Sequence, residues 1–596
     1  MIRKLLKQKT FVGLLVIGAS MLGACADNDY DFDQIDYTVG LGSGEFFIPV
    51  SNTDVIKLED VLDLDNSNCV VVKDNGDYMF EQTGDDMAPV KVNIDKIVLS
   101  QERLETYPFM LDLGAGGAKS RFKVRRTAAV PQQTAEIHVF SYEGESEEVV
   151  DLNMVGVERT PVSLVLKFPA GLNNYMPAID QLTLEFPEFV VFENVQANAG
   201  VVRNGNKFTF ANVSTAQNLR LNMNITGLDF KTQASALGSA TVKNGKIVMT
   251  GNVRMTVVPG TLSFNGQQAP SAPFRIDNDL VLGSALTVAS AEGKFNPAID
   301  MRDLGKVDIT GVPDFLNDGN VVVDLDNPQI ILSVANNMEA SGIIDGTLTA
   351  TKKGQAPKVV RVSGIRVNPN SANNICICRK KTADMVAAYG DENIYVVENL
   401  TDLIKTIPDN IRFSAVTSAD PTRVCRFEFG HDYEIKPSYR VEAPIAFGKD
   451  ANIVYRDSLL DWHEDIKDLD LTEGAYVEAV AEIENRMPVF LNVSAYAVDV
   501  DDNDISDEIE VEVSNSIIAS ADGETSSVTP VTIRMKQKKQ GAMKKIDGLR
   551  VLVQGKATSD DGTRSVVGVT LNAEKHFLIA RDIRIKLVGK VIADLN

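Results

Sequence analysis

Side chains able to do chemistry are thinly spread along this chain. The four histidines, His138, His431, His463 and His576, stand far apart in sequence. Neither a His-Glu-x-x-His run nor a Gly-x-Ser-x-Gly elbow occurs, so zinc and serine hydrolases lack their local marks and no catalytic residue is assigned. The stretch Leu113-Gly114-Ala115-Gly116-Gly117-Ala118-Lys119-Ser120 ends like a phosphate-binding loop, but Leu113 and Ala118 stand where that motif needs Gly, and it reads as a turn. Asp499, Asp501 and Asn503, with Glu510, match ligand positions of a helix-loop-helix calcium loop. Asp504 replaces the turn glycine, and the flanks alternate as strands, so these candidate calcium residues read as an acidic hairpin tip and no metal is expected. Trp462, the only Trp, sits between Asp461 and His463. An indole is a common sugar platform, which makes it the candidate ligand contact. Lys119, Arg121, Lys123 and Arg125 alternate with Ser120, Phe122 and Val124, gathering charge on one strand face that could receive an anionic glycan or a lipid headgroup. In Ile375-Cys376-Ile377-Cys378 the period of two places both sulfurs on one face of a strand. A metal centre there needs further ligands and His431 is distant, so the pair reads as buried thiols.

The chain as a whole narrows the classes further. Its 596 residues suffice for about three to five domains. With 82 acidic against 59 basic residues the net charge is -23, so the electrostatic footprint of a nucleic-acid binder is missing. No apolar run reaches the roughly 20 residues of a membrane-spanning helix. No cofactor is expected either.

The N-terminus is the most informative segment. Arg3, Lys4, Lys7 and Lys9 precede the apolar stretch from Phe11 to Leu22, and small residues lead to Cys25, as in a secretion signal with its processing site. The tetrad Leu22-Gly23-Ala24-Cys25 resembles the lipobox of bacterial lipoproteins. That resemblance, confined to the first 25 residues, implies lipidation of Cys25 and a mature chain held to a membrane by two or three acyl chains. Between Ala26 and Ile56 lie seven acids and no Lys or Arg, and Gly40, Gly42 and Gly44 add flexibility, so a charged tether is expected. Asp27, Asp29 and Asp31, directly after the cysteine, resemble the surface-export signal of Bacteroidota lipoproteins. This implies an outer-membrane protein facing the exterior, or otherwise the periplasm.

Strict alternation dominates the rest. Val162, Leu164, Leu166 and Phe168 keep period two, as do Leu219, Leu221, Met223 and Ile225, then Val253, Met255 and Val257, Val489 through Ala495, and Ile583, Ile585 and Leu587. The expected fold is mainly β, with several tandem antiparallel β-sandwich-like domains. Helical spacing at Val397, Leu400, Leu403, Ile404 and Ile407 predicts one short helix near 396–407, and a weaker turn is expected at Leu58 to Leu62. Pro-Ala-Ile-Asp occurs at Pro177 to Asp180 and at Pro297 to Asp300. An apolar-Pro-acid triplet occurs at Phe186-Pro187-Glu188, Val312-Pro313-Asp314 and Ile407-Pro408-Asp409, which together suggest a diverged duplication. The expected division is a signal peptide at 1–24, a tether at 25–44, β-domains at 45–160, 161–290 and 291–395, and a helix with further sandwich at 396–596. The functional expectation is a lipid-anchored envelope protein, binding or structural and without catalytic activity, whose protein or glycan partner the sequence does not name. The alternatives are a carrier of hydrophobic ligands and a glycan-binding or glycan-cleaving surface protein.

Overall fold

The computed structural model describes residues 39–49, 52–53, 55–57, 69–84, 88–113, 127–231, 235–263, 270, 272–312, 321–467, 469–472 and 474–593. Antiparallel strands dominate, in agreement with the period-two reading. Each stretch of alternation becomes a strand with one buried edge of the pattern. In Lys246–Val258, Ile247, Met249, Val253, Met255 and Val257 are buried while their neighbours are not. Removing each such side chain from water stabilises by about 1.5–3 kcal/mol, which fixes the face that points inward.

The strands form three units with the same internal order. Unit one uses Val149–Lys167, Ala178–Glu185, Val190–Ala197, Lys207–Ser214, Leu219–Asp229 and Lys246–Val258. Unit two uses Asp303–Asp308, Gln329–Asn336, Gly342–Thr351, Ser371–Cys378, Asn410–Ala419 and Asp432–Pro444. Unit three uses Ile453–Leu459, Tyr476–Asn485, Phe490–Asp499, Ser527–Gln537, Ile546–Lys556 and Leu578–Ala593. In every unit the fourth, second and sixth strands lie side by side, as do the third, fifth and first; the two sets form separate sheets in units two and three, while in unit one Ala285–Phe295, Val98–Thr106 and Gln133–Glu145 link them into one sheet. The pairing is antiparallel throughout. The three units thus share one strand order and one pairing pattern.

The sixth strand of each unit is flanked by a strand from earlier in the chain. Val39–Pro49 pairs with Leu578–Ala593 in unit three, Tyr78–Thr83 and Val90–Asn93 pair with Asp432–Pro444 in unit two, and Gln133–Glu145 pairs with Lys246–Val258 in unit one. The N-terminal part thus visits units three, two and one before the chain builds them as one, two and three. Contacts also tie neighbours together. Ala285–Phe295 joins Val149–Lys167 of unit one to Cys425–Glu428 of unit two, and Asn572 Nδ2 of unit three donates to Asp77 Oδ1 at 2.9 Å.

A buried asparagine closes the turn after the second strand in two units. Asn336 Oδ1 accepts from Met338 N at 3.0 Å, and its Nδ2 donates to Ala340 O at 3.0 Å and Asn368 O at 3.1 Å. Asn485 repeats this with Met487 N at 2.9 Å, Val489 O at 3.1 Å and Ile518 O at 2.9 Å. In unit one Asn206 reaches Pro187 O and Val190 O, both at 2.6 Å, from the loop before the fourth strand. Asn485 is fully buried, so Asn485→Ala leaves orphaned backbone groups and is expected to cost about 2 kcal/mol, measurable by urea denaturation.

Several expectations need correction. Residue 160 lies inside Val149–Lys167, residue 290 inside Ala285–Phe295 and residue 395 inside Ile394–Val396, so no sheet breaks there. The Pro-Ala-Ile-Asp copies mark different places, since Ala178 opens a second strand whereas 297–300 precedes a first strand. Gly40, Gly42 and Gly44 belong to Val39–Pro49, which pairs with the last strand across an irregularity between Leu41 and Gly44, so the tether ends earlier than 44. The short helix at 396–407 is reduced to a 3-10 turn at Leu400–Leu403, after the strand Ile394–Val396. Its helical spacing does bury Leu400, Leu403, Ile404 and Ile407, and one turn suffices because each side chain reaches the same core. The turn at Leu58 to Leu62 lies outside the described residues.

Candidate functional site

Cys25, Asp27, Asp29, Asp31, Arg121, Lys123 and Arg125 lie outside the described residues. The remaining predicted sites are occupied by their own surroundings. Trp462 is 9% exposed and belongs to the core, so it offers no open platform, which corrects the ligand-contact reading. Its backbone N–H donates to Asp547 O at 2.9 Å, while the Asp547 carboxylate accepts from Asp461 N and His463 N at 3.3 Å each. The aspartate fixes this turn, in which Asp461 has a φ of 71°.

At the acidic tip, Asp499 Oδ1 accepts from Asp501 N at 3.0 Å and Asn503 N at 2.9 Å, and Asn503 Nδ2 reaches both carboxylate oxygens at 3.2 Å. Those backbone donors hold the Asp499 carboxyl below its ordinary range. Asp502 pairs with Arg550, so the candidate calcium residues serve the hairpin itself. Among the described residues no three His, Cys, Asp or Glu side chains converge on one point. The nearby lysines are likewise partnered, Lys539 with Asp507 at 2.9 Å and Lys545 with Glu508 at 2.7 Å.

One cluster stands apart from the main core. In the second and fourth strands of unit two, Ile330, Leu332, Ile375 and Ile377 face inward, whereas Ile331, Cys376 and Cys378 face the opposite side. At the same end of the matching strand pair in unit three, that outer side carries Arg534 against Glu478 and Lys536 against Tyr476. In unit two it is covered. The link between the fourth and fifth strands spans 379 to 409, against 215 to 218 in unit one and 538 to 545 in unit three. It contributes the helix Ala383–Tyr389 and the strand Ile394–Val396, which runs parallel to Ser371–Cys378.

Met385, Ile394 and Tyr389 from this insertion close over Ile331 and the two thiols, both fully buried. Met385 is the buried residue of its helix, whose start is capped by Thr382 Oγ1 accepting from Met385 N at 3.3 Å. Cys376 Sγ lies 3.8 Å from Gln329 Oε1 and within hydrogen-bonding reach of Cys378 Sγ. That sulfur–sulfur hydrogen bond raises the Cys376 pKa, with burial adding to the effect. The same bond lowers that of Cys378, helped by Lys381 and opposed by burial. Cys378 is thus the first of the pair to ionise. The alternation at 375–378 placed the two sulfurs correctly, whereas Met385 and Tyr389 carry no local signal tying them to the cysteines.

No protein-family model matches the chain, and no curated protein does. Among solved structures, a Parabacteroides distasonis protein provisionally described as secreted is similar at 18% identity and a TM-score of 0.34, covering 50% of this chain and 90% of that one. A triple jelly-roll protein of an archaeal virus aligns at 7% identity and a TM-score of 0.11, over 84% of this chain and 91% of that one. The infectious bursal virus particle aligns at 6% identity and a TM-score of 0.11, over 91% and 84%. At TM-scores this low none of them bears on what the chain does.

Proposed function

We propose that the chain is a lipid-anchored envelope protein acting as a binding or structural component without catalysis, with unit three nearest the membrane. The observation that carries the placement is the pairing of Val39–Pro49 with Leu578–Ala593. An anchor at Cys25 leaves 14 residues to Val39, a span of at most about 50 Å when fully extended. Units two and one then follow away from the anchor, and unit one is the part offered to partners. The buried Trp462 removes the strongest support for a glycan platform.

Cys25→Ser should move the protein from the membrane to the soluble fraction or leave the signal uncleaved, because only the thiol can form the thioether. Continued uptake of labelled fatty acid by that variant overturns the anchor. Replacing Asp27, Asp29 and Asp31 by Asn should remove the protein from the protease-accessible fraction of intact cells while lipidation persists. Equal accessibility in both strains would reduce those acids to a solvated spacer.

A further inference from the structure

We propose that Cys376, Cys378 and Met385 form a site for one soft monovalent cation of the copper(I) class. The first argument is geometric. Residues two apart on a strand have Cα atoms about 6.4–6.8 Å apart, with Cβ atoms on the same side at a similar separation. A disulfide wants Cβ atoms at about 3.5–4.5 Å, so Cys376 and Cys378 cannot join without bending the strand. Both thiols nonetheless sit on the same strand face, in one small buried cluster with Met385. A spacing too wide for a sulfur–sulfur bond suits two thiolates that share a metal.

The second argument is the donor set. Soft thiolate and thioether sulfur selects copper(I) over hard cations. The cluster supplies two thiols and one thioether, and its other members are Ile331, Ile394 and Tyr389. Structural zinc takes four ligands, typically Cys or His, and the fourth is missing here. The nearest carboxylate acting on Cys376, that of Glu442, is already held by Arg440 at 2.5 Å. Binding would release both thiol protons to solvent, so two thiolates and one monovalent cation leave a single negative charge. Lys381 and Arg440, each also paired with a carboxylate (Asp391 and Glu442), lie near the two sulfurs and partly offset that charge.

The third argument is that unit two alone spends an insertion on this face. The same side of unit three is covered by ion pairs that need no lid. The helix Ala383–Tyr389 exposes Ala383, Asp384, Val386, Ala387 and Ala388, and Met385 is its buried contact with the thiols. The side chain that would bind the cation is therefore the one that holds the lid, and lifting it opens the site for loading.

The test uses the full chain, reduced and free of oxygen, with silver(I) as a redox-inert stand-in for copper(I). It is dialysed against a competing thiol and the metal is measured by mass spectrometry. The wild type should retain one silver equivalent more than Cys376→Ser/Cys378→Ser, while Cys69→Ser and Cys425→Ser retain as much as wild type. Met385→Leu, which conserves volume and serves if the cysteine variants fold poorly, should keep the stoichiometry and lower the affinity. Zinc should not survive the same dialysis. Equal silver in the wild type and the double variant, retention of zinc in place of silver, or an unchanged affinity in Met385→Leu would each overturn the three-sulfur site.

Discussion

Replacing Arg379 and Lys380 together by Met is expected to lower the stability of the protein by about 3–5 kcal/mol, because it strands a buried carboxylate. Asp326 is 3% exposed. It accepts from Arg379 Nη1 at 2.8 Å and from Lys380 Nζ, and the same Nη1 donates to Asp326 O at 2.7 Å. The third unit closes the space: a Cβ placed on Gly568 would lie 2.9 Å from Asp326 Oδ2. Gly568 leaves water little room on that side of the carboxylate, whereas the cations are partly solvated and lose less when the acid is removed. Asp326→Asn in the double-Met background should recover part of the loss, since a neutral amide tolerates burial better than an unpaired charge. Urea unfolding of the three proteins decides the matter. A loss under about 1 kcal/mol would place the group with ordinary surface pairs.

Acidification from pH 6.5 to about 4 should remove roughly 3 kcal/mol of stability through His138. The ring is fully buried on Gln133–Glu145, with Nδ1 3.2 Å from Thr106 Oγ1 and Nε2 lacking a hydrogen-bond partner. Burial pushes its pKa down to about 4, and Asn278 and Asp279 oppose this more weakly. Because the folded pKa lies below the unfolded one, the unfolded chain takes up the proton first, and the folded state loses ground until it too is protonated. Above the unfolded pKa both states are neutral and the term vanishes. His576, 4% exposed, is shifted downward by burial as well and acts in the same direction. Backbone donors hold Asp522 at about 2, and hydrogen bonds from Ser559 and Thr563 do the same for Asp561. Their contribution is lost only below the ordinary aspartate range. The urea midpoint measured against pH should flatten between 6.5 and 4 in His138→Gln. An unchanged slope in that variant would assign the acid sensitivity elsewhere.

The local part of the fold was legible and the long-range part was not. Leu219 to Ile225, Val253 to Val257 and Ile583 to Leu587 announce strands because period two is a property of neighbouring residues. The partner of Val39–Pro49 leaves no such trace, since pairing with Leu578–Ala593 is decided by a surface assembled far along the chain. The expected boundaries at 160, 290 and 395 fall inside strands for a related reason: strands donated from the N-terminal part break the correspondence between a sequence interval and a sheet. Trp462 illustrates the limit of residue type, since its composition suggests a platform and only Asp547 shows that it closes a turn. The enclosed thiols were half visible, their common face by alternation and their lid not at all.

The reversed order in which the N-terminal strands are shared out also sets an assembly sequence. Val39 and Ala593 are paired although more than five hundred residues separate them. Closing so long a loop at once costs about 2 kcal/mol more than closing one of fifty residues. Among the sixth strands, that of unit one lies nearest in sequence to its N-terminal partner, Gln133–Glu145, so this pairing closes the shortest loop. Once unit one has closed, Tyr78–Thr83 and Val90–Asn93 are brought close to unit two, and their docking in turn brings Val39–Pro49 to unit three. Each completed unit shortens the free loop left for the next, so the pairing order favours closure from unit one through unit two to unit three. Unit three is then the last to become whole, and a chain truncated before Leu578 would leave Val39–Pro49 without its partner strand.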